Sequence, residues 1–182
     1  MLVSDAQREM RTLYVGGLAG QLVSAGIWLA SALATSLLTP RHGILVLVVG
    51  GMFIFPLTQL ALRLSGRPAS LNAGNPLREL AMEIAFLVPL LLPLAGAATL
   101  YRGAWFYPAC MMIVGAHYLP FSFLYGMRHF LALGGIMFVA GLLFGMYAPE
   151  LALFGAYANA ALLAGFAVVG WSRVAAPAIQ TA

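Results

Sequence analysis

Long apolar runs alternate along the chain with short polar breaks. A membrane-crossing helix needs about 20 mostly apolar residues. Six segments have that character: residues 13–38, 43–64, 76–100, 103–125, 130–147 and 150–171. Thr39, Pro40 and Arg41 end the first. The widest break, residues 65–75, gathers Gly, Pro, Ser and Asn and predicts a loop. It closes on Asn75-Pro76, a good helix start. Asn caps free N–H groups, and Pro at the first helical position loses no hydrogen bond. The other links are a few residues long, which forces antiparallel neighbours and predicts one domain over residues 1–182. The expected fold is all-α, an integral membrane bundle of six transmembrane helices with both termini cytoplasmic.

Composition agrees with lipid as the solvent. Of 182 residues, 63% are hydrophobic and 8% charged. A soluble domain carries about 25% charged residues. So few charges cannot cover a water-facing surface, whereas lipid accepts apolar side chains. The same numbers exclude a disordered chain. The net charge of +4 comes from arginine without any lysine. These arginines stand singly at the ends of apolar runs and form no basic stripe, so no nucleic-acid partner is expected. Cys110, the one cysteine, makes neither an intrachain disulfide nor a zinc site and reads as an inert buried thiol.

Two features bear on orientation. Arg8 and Arg11 precede the first run, and Ala32-Leu33-Ala34 resembles a cleavage site. The run is about twice a usual signal core of 7–15 residues, so a retained helix is expected. With the N-terminus inside, Arg8, Arg11, Arg63, Arg67, Arg78, Arg128 and Arg173 are cytoplasmic, and only Arg41 and Arg102 lie outside. Tyr14, Tyr125 and Trp171 then fall at inner helix ends, and Tyr101, Trp105, Tyr107 and Tyr147 at outer ends, where amphipathic rings favour the interface.

Small residues four apart allow close helix contact. Gly16, Gly20 and Ser24 form one such stripe, Gly141 and Gly145 another, and Ala156, Ala160 and Ala164 a third. Each predicts packing within the bundle or a homo-oligomer face. Gly51 to Pro56 and Gly115 to Pro120 share a spacing that fits a duplicated hairpin. The paired glycines Gly50-Gly51 and Gly134-Gly135 fit an inverted repeat instead.

Candidate chemistry rests on polar residues at membrane depth, which are costly and mark functional positions. Gln21, Gln59, Glu79, Glu83 and His117 all fall in the cytoplasmic half, and Asn159 nearer the middle. Glu79 and Glu83 share a helix face. They serve either as charges at a helix N-terminus paired with arginine, or in handling a proton or cation. His117 precedes Pro120, which lacks an N–H and frees the Ala116 carbonyl. That predicts a local polar spot, which is either a kinked helix bonded to its neighbour or a ligand site. Glu83 and His117 are expected to point into the bundle. Pro56, Pro89, Pro93 and Pro120 are expected to kink their helices. Neither a phosphate loop nor a catalytic Ser or zinc motif is present, and no cofactor, metal or catalytic residue is expected.

The segments Gly51-Met52-Phe53-Ile54-Phe55-Pro56-Leu57, Asn75-Pro76-Leu77 and residues 115–126, Gly-Ala-His-Tyr-Leu-Pro-Phe-Ser-Phe-Leu-Tyr-Gly, resemble an uncharacterised family of small bacterial polytopic membrane proteins, a domain of unknown function. The resemblance implies a multi-pass protein of the bacterial inner membrane and implies no activity, substrate or site. Three readings follow. The first is a small permease or ligand-binding protein with a cytoplasmic-side polar pocket. The second is a non-catalytic membrane partner or assembly subunit, and the third an intramembrane enzyme using Glu83 and His117. The bilayer is the expected partner, and the small-molecule or ion ligand is open.

Overall fold

The computed structural model describes residues 1–67 and 71–175; Pro68, Ala69 and Ser70 of the expected loop lie outside these. Every regular element among the described residues is helical: α1 Val3–Leu13, α2 Leu18–Leu37, α3 Pro40–Met52, α4 Ile54–Leu64, α5 Arg78–Tyr101, α6 Phe106–Tyr118, α7 Phe121–Leu124, α8 His129–Tyr147 and α9 Ala152–Ala175. Five stretches are long and apolar enough to cross a membrane, or six if the bent pair α3–α4 is one crossing. The shortest, α8, has 19 residues and is about 28 Å long, close to the roughly 30 Å hydrocarbon thickness.

Burial matches a lipid solvent. Leu90, Leu94, Leu100, Met146 and Phe154 face outward, while Gln21, Ser24, Ser31 and Asn159 are buried. A soluble domain of this size rarely exposes so much continuous apolar surface.

Helices α2, α9, α8 and α6 form the core. The bent pair α3–α4 packs on α2, and α5 packs on α6. Glycine sets the closest approach. A Cβ on Gly115 of α6 would lie 2.7 Å from the Gly134 carbonyl oxygen of α8, and one on Gly141 would lie 2.6 Å from the Pro108 carbonyl oxygen. Gly145 backs onto Pro108 as well, and Ala156 and Ala160 are buried. These small residues are therefore used in packing within the chain. Gly16 and Gly20 do not form one stripe. Gly16 meets Gly170 of α9, whereas Gly20 faces Thr58 of α4.

Several boundaries differ from the sequence expectation, each for a physical reason. The first apolar segment does not begin a helix at residue 13. Val15, Gly16 and Gly17 all have positive φ, which breaks the helix between α1 and α2. The second segment starts at Pro40, which occupies the first helical turn. It bends by 58° between α3 and α4. The bend falls at Met52-Phe53, and Met52 is the residue whose carbonyl the ring of Pro56 displaces. The fourth segment ends α6 at Tyr118, two residues before Pro120, and resumes as the short α7. Thus the shared Gly-to-Pro spacing marks a helix break in both places. Pro89 and Pro93, expected to kink as well, lie inside a continuous 24-residue α5.

One end of the bundle gathers α1, the segment between α4 and α5, α7 and the C-terminal end of α9. Gln7 donates to the Phe123 carbonyl (2.5 Å) and Arg11 to the Tyr125 carbonyl (2.6 Å). Arg67 donates to the Thr12 carbonyl. The Asn75 amide donates to the Ala6 carbonyl and to Glu9 Oε2, while the Asn72 N–H donates to Glu9 Oε1. Asn75 Oδ1 accepts from the Leu77 N–H at 2.9 Å, so Asn75 turns the chain into α5, whose first residue is Arg78.

Candidate functional site: a polar interior along α2

The inner face of α2 is polar along most of its length. Gln21, Ser24, Ser31 and Thr35 are spaced by three, seven and four residues, which places them on one helical stripe. The first three are buried.

The half of this stripe toward the C-terminal end of α2 is fully bonded. Ser31 Oγ donates to the Gly43 carbonyl of α3 at 2.8 Å. The Tyr107 hydroxyl of α6 lies 2.9 Å from Ser31 Oγ and 2.7 Å from Thr35 Oγ1. It also reaches the Ser31 carbonyl at 3.1 Å. Gly43 lets the clasp close, since a Cβ there would collide with Thr35 Oγ1 and lie 2.7 Å from the Tyr107 hydroxyl. Trp28 packs beside Tyr107 with ring centroids 6.2 Å apart. Three helices are thus joined near the C-terminal end of α2.

The rest of the polar interior is different. Gln21 is 2% exposed and Asn159 of α9 is 1% exposed. Both polar atoms of each amide are enclosed and have no hydrogen-bond partner. An enclosed, unpaired amide costs about 1–3 kcal/mol. Gln59 Oε1 and His117 Nδ1 are likewise enclosed without a partner. Below this level lies an aromatic cluster. Phe121 stacks on Tyr125 at 5.7 Å, Phe130 lies 5.2 Å from Tyr125, and Tyr118 stacks on Phe130 at 6.2 Å. Tyr14 meets Tyr125 edge-on, and α1 is bonded over the cluster through Gln7 and Arg11.

The acidic candidates stand elsewhere. Glu79 and Glu83 are both exposed, on the outward face of α5. The inward orientation expected for Glu83 is therefore corrected: α5 fully buries only Ile84 and Ala95, packs Leu80 and Ala81 partly against the core, and leaves Glu83 among its exposed positions. His117 is half-buried, edge-on to Tyr118 and Phe121 at 5.7 and 5.0 Å. The Ala116 carbonyl is not left free by Pro120, since the Leu119 N–H donates to it at 3.2 Å. A three-residue turn replaces the lost four-residue bond. Among the described residues, no three His, Cys, Asp or Glu side chains converge to hold a metal ion.

Sequence reasoning passed over His129, which is buried with both ring nitrogens unpaired. Its ring lies tilted against Phe130 with centroids 4.4 Å apart and stacks on Phe166 of α9 at 6.3 Å. Its place beside Arg128 at a helix start concealed it, because that context reads as an exposed interfacial residue. Tyr107 was read only as an interface anchor, and no spacing in the sequence links it to Ser31 and Thr35.

No curated protein matches the chain, and no solved structure matches it. A family model matches residues 3–173; it describes a family of unknown function, DUF7010.

Proposed function

The chain belongs to DUF7010, a family of unknown function, and we propose from its own residues that it is a small permease or ligand-binding protein of the bacterial inner membrane. In this reading it crosses six times, with α1 and the C-terminus in the cytoplasm. The α3–α4 pair counts as one broken crossing because the segment after α4 is bonded to α1 through Arg67, Asn72 and Asn75. A re-entrant pair would return that segment to the opposite face. The seven arginines of the α1 face against two on the other support the cytoplasmic assignment.

The observation that carries the functional reading is the pair of enclosed, unpaired amides, Gln21 and Asn159. Polar groups at membrane depth are costly and are kept where they contact a solute or water. In this reading the Tyr107 clasp closes the outer end of the interior. Gln21 stands at the inner end of α2, whereas Asn159 lies beyond the middle, two residues from Tyr157, which bonds Ser36 of α2. A polar ligand or water entering from the α1 face would meet Gln21 first and would pass the membrane middle to reach Asn159.

Cysteine accessibility tests this. With Cys110 replaced by alanine, Ser24→Cys should react with a small charged thiol reagent added from the cytoplasmic side. Ser31→Cys should react far more slowly, being held in the clasp. If Ser24→Cys is as inert as an Ala156→Cys control, the interior is dry and the permease reading fails.

One observation favours the second reading, a membrane assembly subunit. Helix α5 buries two of its 24 residues and carries Glu79 and Glu83 outward. Under that reading the thiols stay inert and the solubilised particle has at least twice the mass of one chain.

A further inference from the structure

The 58° bend between α3 and α4 opens a groove against α2. Its volume is about 380 Å³, and its walls are almost wholly apolar. Leu57, Leu60, Ala61 and Leu64 of α4 form one wall, and Leu22 and Gly26 of α2 stand opposite. The space beside Gly26 is empty, for a Cβ there would meet nothing within 4 Å. Leu22, Leu57, Leu60 and Leu64 are exposed, so the groove opens sideways into whatever surrounds the helices.

Depth and size define the occupant. Leu64 ends α4 at the α1 face, and Leu22 lies one turn into α2 from the same face. The groove therefore runs from that interface toward the membrane middle, along one leaflet. From Leu22 to Ala30 it spans eight residues, about 12 Å. A groove of that length, open along its side, takes part of one extended acyl chain.

Charge defines the headgroup. Helices α2, α3 and α4, and the described part of the segment between α4 and α5, contain no acidic residue. Arg63 and Arg67 are exposed at the groove's interfacial end. Arg67 gives one N–H to the Thr12 carbonyl, which leaves guanidinium donors for an anion.

We propose that this groove binds one acyl chain of an anionic phospholipid from the leaflet on the α1 face, with Arg63 at its phosphate. The site is separate from the polar interior and requires only that the helices span a membrane, so it can fail while the permease reading stands, and the reverse.

The test uses the full chain in mild detergent, supplemented with phosphatidylglycerol or phosphatidylcholine and read by native mass spectrometry. The wild type should retain one phosphatidylglycerol in preference to phosphatidylcholine. Gly26→Phe fills the groove and should abolish retention of either lipid at unchanged thermal stability. Arg63→Gln should lower the preference about five-fold, while leaving five arginines besides Arg67 on that face to hold the topology. Equal retention of the two lipids by the wild type would overturn the proposal, as would full retention by a folded Gly26→Phe. Should that variant not fold, a phosphatidylglycerol with a photoreactive acyl chain decides on the wild type. Adducts concentrated on α2 and α4 residues of the groove support the site. Adducts spread evenly over α5 and α8 overturn it.

Discussion

Asn159 and Gln21 between them enclose four amide atoms without partners. If these amides serve a ligand and not the fold, their removal relieves a penalty. Asn159→Leu should then leave thermal stability in detergent unchanged or raise it, by up to about 2 kcal/mol. A loss of that size would mean the amide has a structural partner. Gly115 is the opposite case. Its missing side chain is filled by the Gly134 carbonyl and the Phe138 N–H, each 2.7 Å from where a Cβ would sit. Gly115→Leu should cost about 3 kcal/mol or more through overpacking. Pro120→Ala should cost less than about 1 kcal/mol, because the turn at Leu119 already replaces the lost helical bond. Comparable melting temperatures for the two variants would contradict the close α6–α8 contact. At this scale the sequence showed which residues are polar at depth but not where they point. Gln21, Asn159 and Glu83 look alike in a hydropathy pattern. Only packing distinguishes them, turning the first two inward and Glu83 outward on a helix with little burial.

Helices were legible where apolar length and proline act locally. The Pro56 break follows from one clash at Met52, and the structure bends there. Pro89 and Pro93 are exposed on α5, and the helix continues through both without the break seen at Pro56. Helix α1 was missed for its shortness and its charges, although Ala6, Met10 and Leu13 recur at the helical spacing and are the residues it buries. Asn75-Pro76 was the expected helix start, but α5 begins at Arg78 with no side-chain cap, and Asn75 Oδ1 accepts from the Leu77 N–H in the turn before it. The unforeseen part is its reach to α1. Asn75→Ala removes bonds to Ala6, Glu9 and Leu77, which at about 1 kcal/mol each is enough to loosen α1 locally. Amide exchange in α1 should accelerate while that in α8 is unchanged. If α1 exchange is unaffected, the bonds at Gln7, Arg11, Thr12 and Glu9 hold it without Asn75.

The whole molecule was the most legible level, because lipid and length act on every helix at once. What hydropathy could not supply was the order of packing: α2, α9, α8 and α6 as the core, with α3–α4 and α5 outside. Nor could it show that the arginine-rich segments meet. Arg11 and Arg67 belong to one hydrogen-bonded end of the bundle, so the protein's charge asymmetry is a property of one face. That unity makes topology the central claim, for an error in one loop reverses or removes the rest. Reporter fusions placed after Arg67, and separately after Arg41, address it most directly. The account predicts a cytoplasmic signal after Arg67 and an external signal after Arg41, as α3 and α4 together form one crossing. The same compartment for both fusions would make the bent pair re-entrant and contradict the six-crossing bundle, and an external signal after Arg67 would reverse the orientation of the entire protein.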